Sequence, residues 1–78
     1  MSPPLGLRPL PYRKVARRLA EFGFLPAGQT GSHVRFLHPD GRMTVVPRHD
    51  REDLHRGILS RIIKQAGIDA DVFSEKFR

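Results

Sequence analysis

The sequence predicts an α+β fold in the order α-β-β-β-α, with a short extra C-terminal helix and a three-stranded antiparallel sheet packed on helices. Three observations carry this. Two segments, one in each half of the chain, repeat apolar residues at helical spacing. Between them, apolar and polar residues alternate over short runs. The last two runs are joined by "HPDGR", where Pro39 presets φ, Asp40 offers a side-chain cap and Gly41 accepts a positive φ, so that they form a hairpin.

Residues 1–10 hold three prolines and no periodicity and read as a flexible N-terminal tail; residues 11–78 read as one domain. The first helix is expected from about Pro11, whose missing N–H suits the first helical position. Val15, Leu19 and Phe22 form its apolar stripe, with Ala16 and Ala20 beside them, and Arg13, Lys14, Arg17 and Arg18 cover the rest. Gly23 is placed as a left-handed C-terminal cap. The first strand, residues 24–29, is the weakest, because Pro26 and Gly28 confine it to an edge. Residues 34–38 and 42–46 follow, the latter with Met43 and Val45 alternating against Arg42 and Thr44.

A second helix lies within residues 50–66, where Leu54, Ile58, Ile62 and Ala66 step by four and Leu59 and Ile63 widen the stripe. Gly57 in its middle would cost about 1 kcal/mol relative to Ala. The alternative is a start at Gly57, with residues 50–56 as an extended or single-turn lead-in. Gly67 ends the helix, Asp69 is a natural N-cap, and residues 70–77 make a last helix carrying Val72, Phe73 and Phe77.

At 78 residues there is one modest core, since a chain this short buries only about 60–65% of its unfolded surface. The absence of cysteine excludes a disulfide framework and a thiolate zinc site. "MSPPLGLRPLPYRK" holds no apolar run of signal-peptide length and no segment approaches a membrane span, so a soluble, cytoplasmic protein is expected. Fourteen Lys and Arg against eight Asp and Glu give +6. The excess sits in residues 1–64, with twelve basic and five acidic side chains. A basic body of this density suggests a polyanion, most simply nucleic acid; an acidic protein partner, or charge serving solvation alone, also fits. The charge density argues for a monomer when free.

"QTGSHVRF" places a histidine at the mouth of an alternating strand. Val34 and Phe36 point to the face the helices need, which leaves His33 and Arg35 together on the open face. Gly31 permits close approach of another backbone, and Ser32 can hydrogen-bond a phosphate. An imidazole, with an ordinary pKa of about 6.5, moves protons near neutral pH, and a neighbouring cation stabilises charge added to phosphorus. RNA brings its own nucleophile, the 2′-hydroxyl, so such a pair can cleave it without a metal or other cofactor. A solvated or structural histidine is the alternative. His33, His38, His49 and His55 form no HxH or HExxH pattern, so no metal site is expected. His38 reads as part of the turn and His55 as solvated.

The order of motifs resembles the HicA toxin family of small mRNA-cleaving ribonucleases. "EFGF", "TGSHVRF", "TVVPRH" and "LHRGILSRIIKQAGI" are similar to that family's segments in order and spacing, over about residues 12–68. The resemblance implies a double-stranded-RNA-binding-domain-like fold, metal-independent mRNA cleavage with His33 as the catalytic residue, and a HicB-like antitoxin that covers the site. It gives Gly31 and Ser32 the shaping of the entry to His33 and makes Gly57 the helix-entry glycine. Pro47 and His49 would close the third strand, His49 as a structural or accessory histidine. Two departures stand out. Gly28, Gln29 and Thr30 replace a basic residue usual before Gly-Ser-His, so that Arg35, Arg48, Arg17 and Lys14 must supply the RNA contacts. Ile58 replaces a Thr after Gly57, losing a hydroxyl cap of about 1 kcal/mol. A non-catalytic RNA-binding module of the same fold is the runner-up; Phe24 and Phe36 alone lie near the sheet and Phe36 is needed by the core, so no base-stacking platform is expected.

Overall fold

The computed structural model describes residues 8–77. The expected tail lies outside the described residues up to residue 7, but its last residue is not loose. Leu10 is buried in a two-residue strand, β1 (Leu10–Pro11), and pairs antiparallel with Leu54 of a strand completed later in the chain.

Helix α1 (Tyr12–Glu21) starts one residue later than expected, because Pro11 keeps an extended ψ of 152° as its N-cap. Val15 and Leu19 are fully buried. At its C-terminus Gly23, at φ 92°, donates to the Ala20 carbonyl, and the Phe24 amide reaches back to the Leu19 carbonyl. This is the left-handed glycine stop expected there. Arg18 departs from expectation. It is only 9% exposed, and its guanidinium packs 4.7 Å from the centre of the Phe22 ring. Its Nε donates to the Phe73 carbonyl at 3.0 Å, and it also reaches the Val72 carbonyl and Glu21.

Strands β2 (Leu25–Thr30), β3 (His33–Leu37) and β4 (Met43–Pro47) form an antiparallel meander in the order β2-β3-β4. On β3 the alternation is as expected: Val34 and Phe36 are buried, while His33, Arg35 and Leu37 are exposed. On β4 the faces are reversed from the simple apolar reading. Thr44 and Val46 are buried, and Met43 is 48% exposed. The cause is register, since the turn pairs Phe36 with Thr44 and Val34 with Val46, and directly opposed residues share a face. Thr44 is accommodated because its hydroxyl donates to Gln65 at 2.9 Å. In β2, Ala27 is the extra residue of a bulge between the pairs Pro26↔Phe36 and Gly28↔Arg35.

The turn after β3 is fastened from both ends. His38 packs on the Phe24 ring at 5.1 Å, and Arg42 donates to Asp40 and to the Ala66 carbonyl. Asp40 is held below the usual carboxyl range, chiefly by the Arg42 backbone N–H and also by its guanidinium.

Helix α2 (Arg56–Ala66) follows β5 (Asp53–Leu54), so Leu54 belongs to the lead-in and the helix takes its later start. His55 is its N-cap, accepting at Nδ1 from the amides of Gly57 and Ile58 at 3.1 and 3.4 Å. His55 is exposed, as expected, and its ring also supplies the cap that Ile58 cannot. Arg61, on this helix, donates to the Val45 carbonyl at 3.2 Å, on the outer edge of β4. After Gly67, at φ 66°, Asp69 caps α3 (Ala70–Ser74), which runs into a 3₁₀ turn (Glu75–Phe77). The helices cover one face of the sheet, with Phe24, Phe36, Phe73, Leu19, Leu59 and Ile62 at the centre. Each such side chain contributes about 1.5–3 kcal/mol by leaving water. The result is the expected α+β, double-stranded-RNA-binding-domain-like architecture, with the other face of the meander open.

Candidate nucleic-acid interface

His33 is the first residue of β3, facing Thr30 across one strand and Pro47 across the other. The turn before it is Gly31–Ser32, with Gly31 at φ 58°. Two bonds brace this turn. The Arg48 amide donates to the Ser32 carbonyl at 2.6 Å, and the Gln29 side chain donates to the Gly31 carbonyl at 2.9 Å. The histidine's backbone is therefore fixed from both neighbouring strands. Its imidazole is exposed and has no hydrogen-bond partner among the described residues. A ring so placed is free to meet a ligand.

The open face has three zones, which the strand register defines. Thr30, His33 and Pro47 form one end, Gly28, Arg35 and Val45 the middle, and Leu25, Leu37 and Met43 the other end. Arg35 is exposed, and its guanidinium lies across β2 directly over Gly28. The stretch before Gly31 has no basic side chain, yet a cation stands there because β3 provides it. Leu25, Leu37 and Met43, exposed by 61%, 45% and 48%, leave the far end apolar. Local alternation showed Leu37 on this face; placing Leu25 and Met43 beside it needed the pairing register.

The remaining candidates divide. Arg48 is joined to the site through its backbone, but its guanidinium packs 5.1 Å over the Tyr12 ring and 3.4 Å from Asp50. Burial raises the pKa of the Tyr12 hydroxyl, and the Arg48 charge opposes that shift. Lys14 and Arg17 line a cleft with Arg18, Glu21, Lys76 and Phe77, which contains no residue of the sheet. The structure does not bring them to His33. His49 lies beyond the end of β4, exposed, and its carbonyl accepts from the Glu52 amide in a turn. Gly57 stands in the first turn of α2, where a Cβ would fall 3.1 Å from the His55 ring. A side chain there would crowd the ring that caps the helix. The signal for this was present in the sequence, as a histidine two residues before a glycine at a helix start. Among the described residues no three His, Cys, Asp or Glu side chains come together as a metal site would need, and no helix is long and apolar enough to cross a membrane.

A family model described as the HicA toxin of bacterial toxin–antitoxin systems matches residues 12–68. The chain belongs to the HicA toxin family. No curated protein matches it. The HicA match runs from the first residue of α1 to just beyond α2, and so takes in His33, Arg35, Arg48 and Gly57. Helix α3 lies outside the match, although its Phe73 is fully buried in the common core. Membership makes the protein a toxin of a toxin–antitoxin system, with an antitoxin as its partner.

Proposed function

We propose that the protein is an endoribonuclease that cleaves mRNA in the cytoplasm through His33, acts as a monomer when free, and is neutralised by a HicB-like antitoxin that covers the open sheet face. The observation that carries this reading is an exposed imidazole with no hydrogen-bond partner among the described residues, on a braced strand end inside the segment matched to the family.

The chemistry needs little else. His33 accepts the proton of a ribose 2′-hydroxyl as that oxygen forms a bond to the adjacent phosphorus. The bond from phosphorus to the 5′-oxygen breaks, and the departing oxygen takes up a proton from the imidazolium or from water. The products are a 2′,3′-cyclic phosphate and a 5′-hydroxyl. Arg35, two residues along on the same face, binds the RNA backbone at a phosphate adjacent to the one being cleaved. Ser32 and Gly31 offer polar groups to a neighbouring phosphate. DNA, without the 2′-hydroxyl, is not a substrate for this route.

The test is incubation of wild type and His33→Ala with end-labelled RNA in excess chelator, followed by end-group analysis. Cleavage that needs His33 and leaves a cyclic phosphate supports the proposal. Equal RNA binding by both proteins, with no product from either, would sink it in favour of the non-catalytic module.

A further inference from the structure

Arg35 is the cation nearest His33 on its own strand and face, but a long side chain on an open sheet has many directions to take. Here one direction is made available by the strand opposite. Gly28 is the cross-strand partner of Arg35, and it reaches that position only because the Ala27 bulge inserts one residue between it and Pro26. A Cβ built on Gly28 would fall 3.1 Å from Cζ and 3.2 Å from Nε of Arg35 and would overlap Nη2. Every other residue type therefore occupies the place where the guanidinium lies. Val45, on the other side of Arg35, is half-buried and carries a branched side chain. The Arg35 guanidinium thus lies over the bare backbone of Gly28, in the row next to that of His33.

We propose that Gly28 is a positioning residue: the Ala27 bulge and the bare backbone of Gly28 form a seat that holds the Arg35 guanidinium in place across β2 on the open face, where it takes a phosphodiester of the RNA next to the one at His33. This rests on the RNA-cleaving reading given above. A guanidinium held in one place keeps its N–H fork fixed in its own plane, ready to match two phosphate oxygens, and loses little freedom on binding. A displaced Arg35 keeps its charge but not this geometry.

The experiment is a double-mutant cycle on the full chain with Gly28→Ala, Arg35→Gln and the combined variant. RNA affinity is read by fluorescence anisotropy on a labelled single-stranded oligonucleotide in the His33→Ala background, which separates binding from cleavage. Each single variant is expected to weaken binding about tenfold and to reduce the slope of log K against log salt by about 0.7, the loss of one phosphate contact. The combined variant is expected to bind no worse than Arg35→Gln alone. In the active background the loss appears in KM with kcat largely retained. Gly28→Ala also strains a backbone at φ 155°, but that cost is present whether or not residue 35 is arginine, so thermal unfolding of all four proteins separates it from the binding effect. Additive losses in the combined variant, or an unchanged salt slope in Gly28→Ala, overturn the proposal, as does an absence of RNA binding in the parent. RNA bound with the expected cycle, but never cut with His33 restored, leaves the seat standing and removes the nuclease reading.

Discussion

Arg18 and Arg35 stand on opposite sides of the same small core. Arg18, on the helical side, is almost wholly buried, donates to two backbone carbonyls of α3 and to Glu21, and stacks on Phe22. Arg35, on the open face, is exposed and has no acceptor among the described residues. Arg42 and Arg61 follow the pattern of Arg18, each giving a hydrogen bond to a distant backbone carbonyl. A count of basic residues therefore overstates the positive surface offered to a ligand. Part of the charge fastens the last helices to the rest of the fold, and a smaller part, on the face of His33, is left for a partner.

The contrast is broken most severely at His33. Replacement by Ala is expected to lower the RNA cleavage rate by about 10²–10⁴, the range for loss of a general acid–base, with urea unfolding unchanged. Arg18→Ala should do the reverse. It removes the side-chain donor of the Phe73 carbonyl, leaves the Val72 carbonyl to the Glu75 amide alone and strips cover from Phe22, so a loss of about 3 kcal/mol is expected in denaturant unfolding, with cleavage per folded molecule preserved. Arg35→Ala should move stability by no more than about 0.5 kcal/mol, as for an exposed residue. Equal destabilisation by the two arginine variants would erase the distinction drawn here.

Smaller effects sharpen it. His55→Ala removes the N-cap of α2 and should cost about 1 kcal/mol, read in the same unfolding experiment. The smallest concerns Glu21. The Lys76 ammonium, first, and the Arg18 guanidinium, second, hold its carboxyl below the ordinary value of 4.5. A depressed folded pKa contributes stability that is fully present above the ordinary value and lost as pH falls through the folded one. Stability should therefore drop below about pH 4.5 more steeply in wild type than in Glu21→Gln. Parallel acid limbs would show that this carboxylate has no part in tying the 3₁₀ turn after α3 to α1.

What could be read from the residues alone follows from the range of the forces involved. Helical spacing of Val15 and Leu19, alternation at Val34 and Phe36, and the Pro39–Gly41 turn are local, and each led to the right element and face. The later start of α2 was legible from Gly57. The burial of Arg18 was not, because its acceptors Val72 and Phe73 lie far along the chain and a basic residue beside an apolar stripe looks like any solvated one. Thr44 was misjudged for a related reason: apolarity favoured Met43, but the register imposed by the turn sends Thr44 inward, to a partner on α2. At the site, the face of His33 and Arg35 came from alternation. The direction Arg35 takes there did not, since it depends on a bulge in the opposite strand.

The two outer strands of the meander also bear on how this protein fails when it unfolds. A bare strand edge invites pairing with another chain. On β2 the invitation is withdrawn within the strand, by Pro26 and the bulge at Ala27. On β4 the protection is borrowed, from Arg61 reaching down from α2 to the Val45 carbonyl. The first guard survives partial unfolding and the second does not. Heating that loosens α2 before the sheet should uncover β4, and aggregates formed then should pair through β4 rather than β2. A proline placed on β4 in the position of Val45 would suppress that aggregation, and one added to β2 would not.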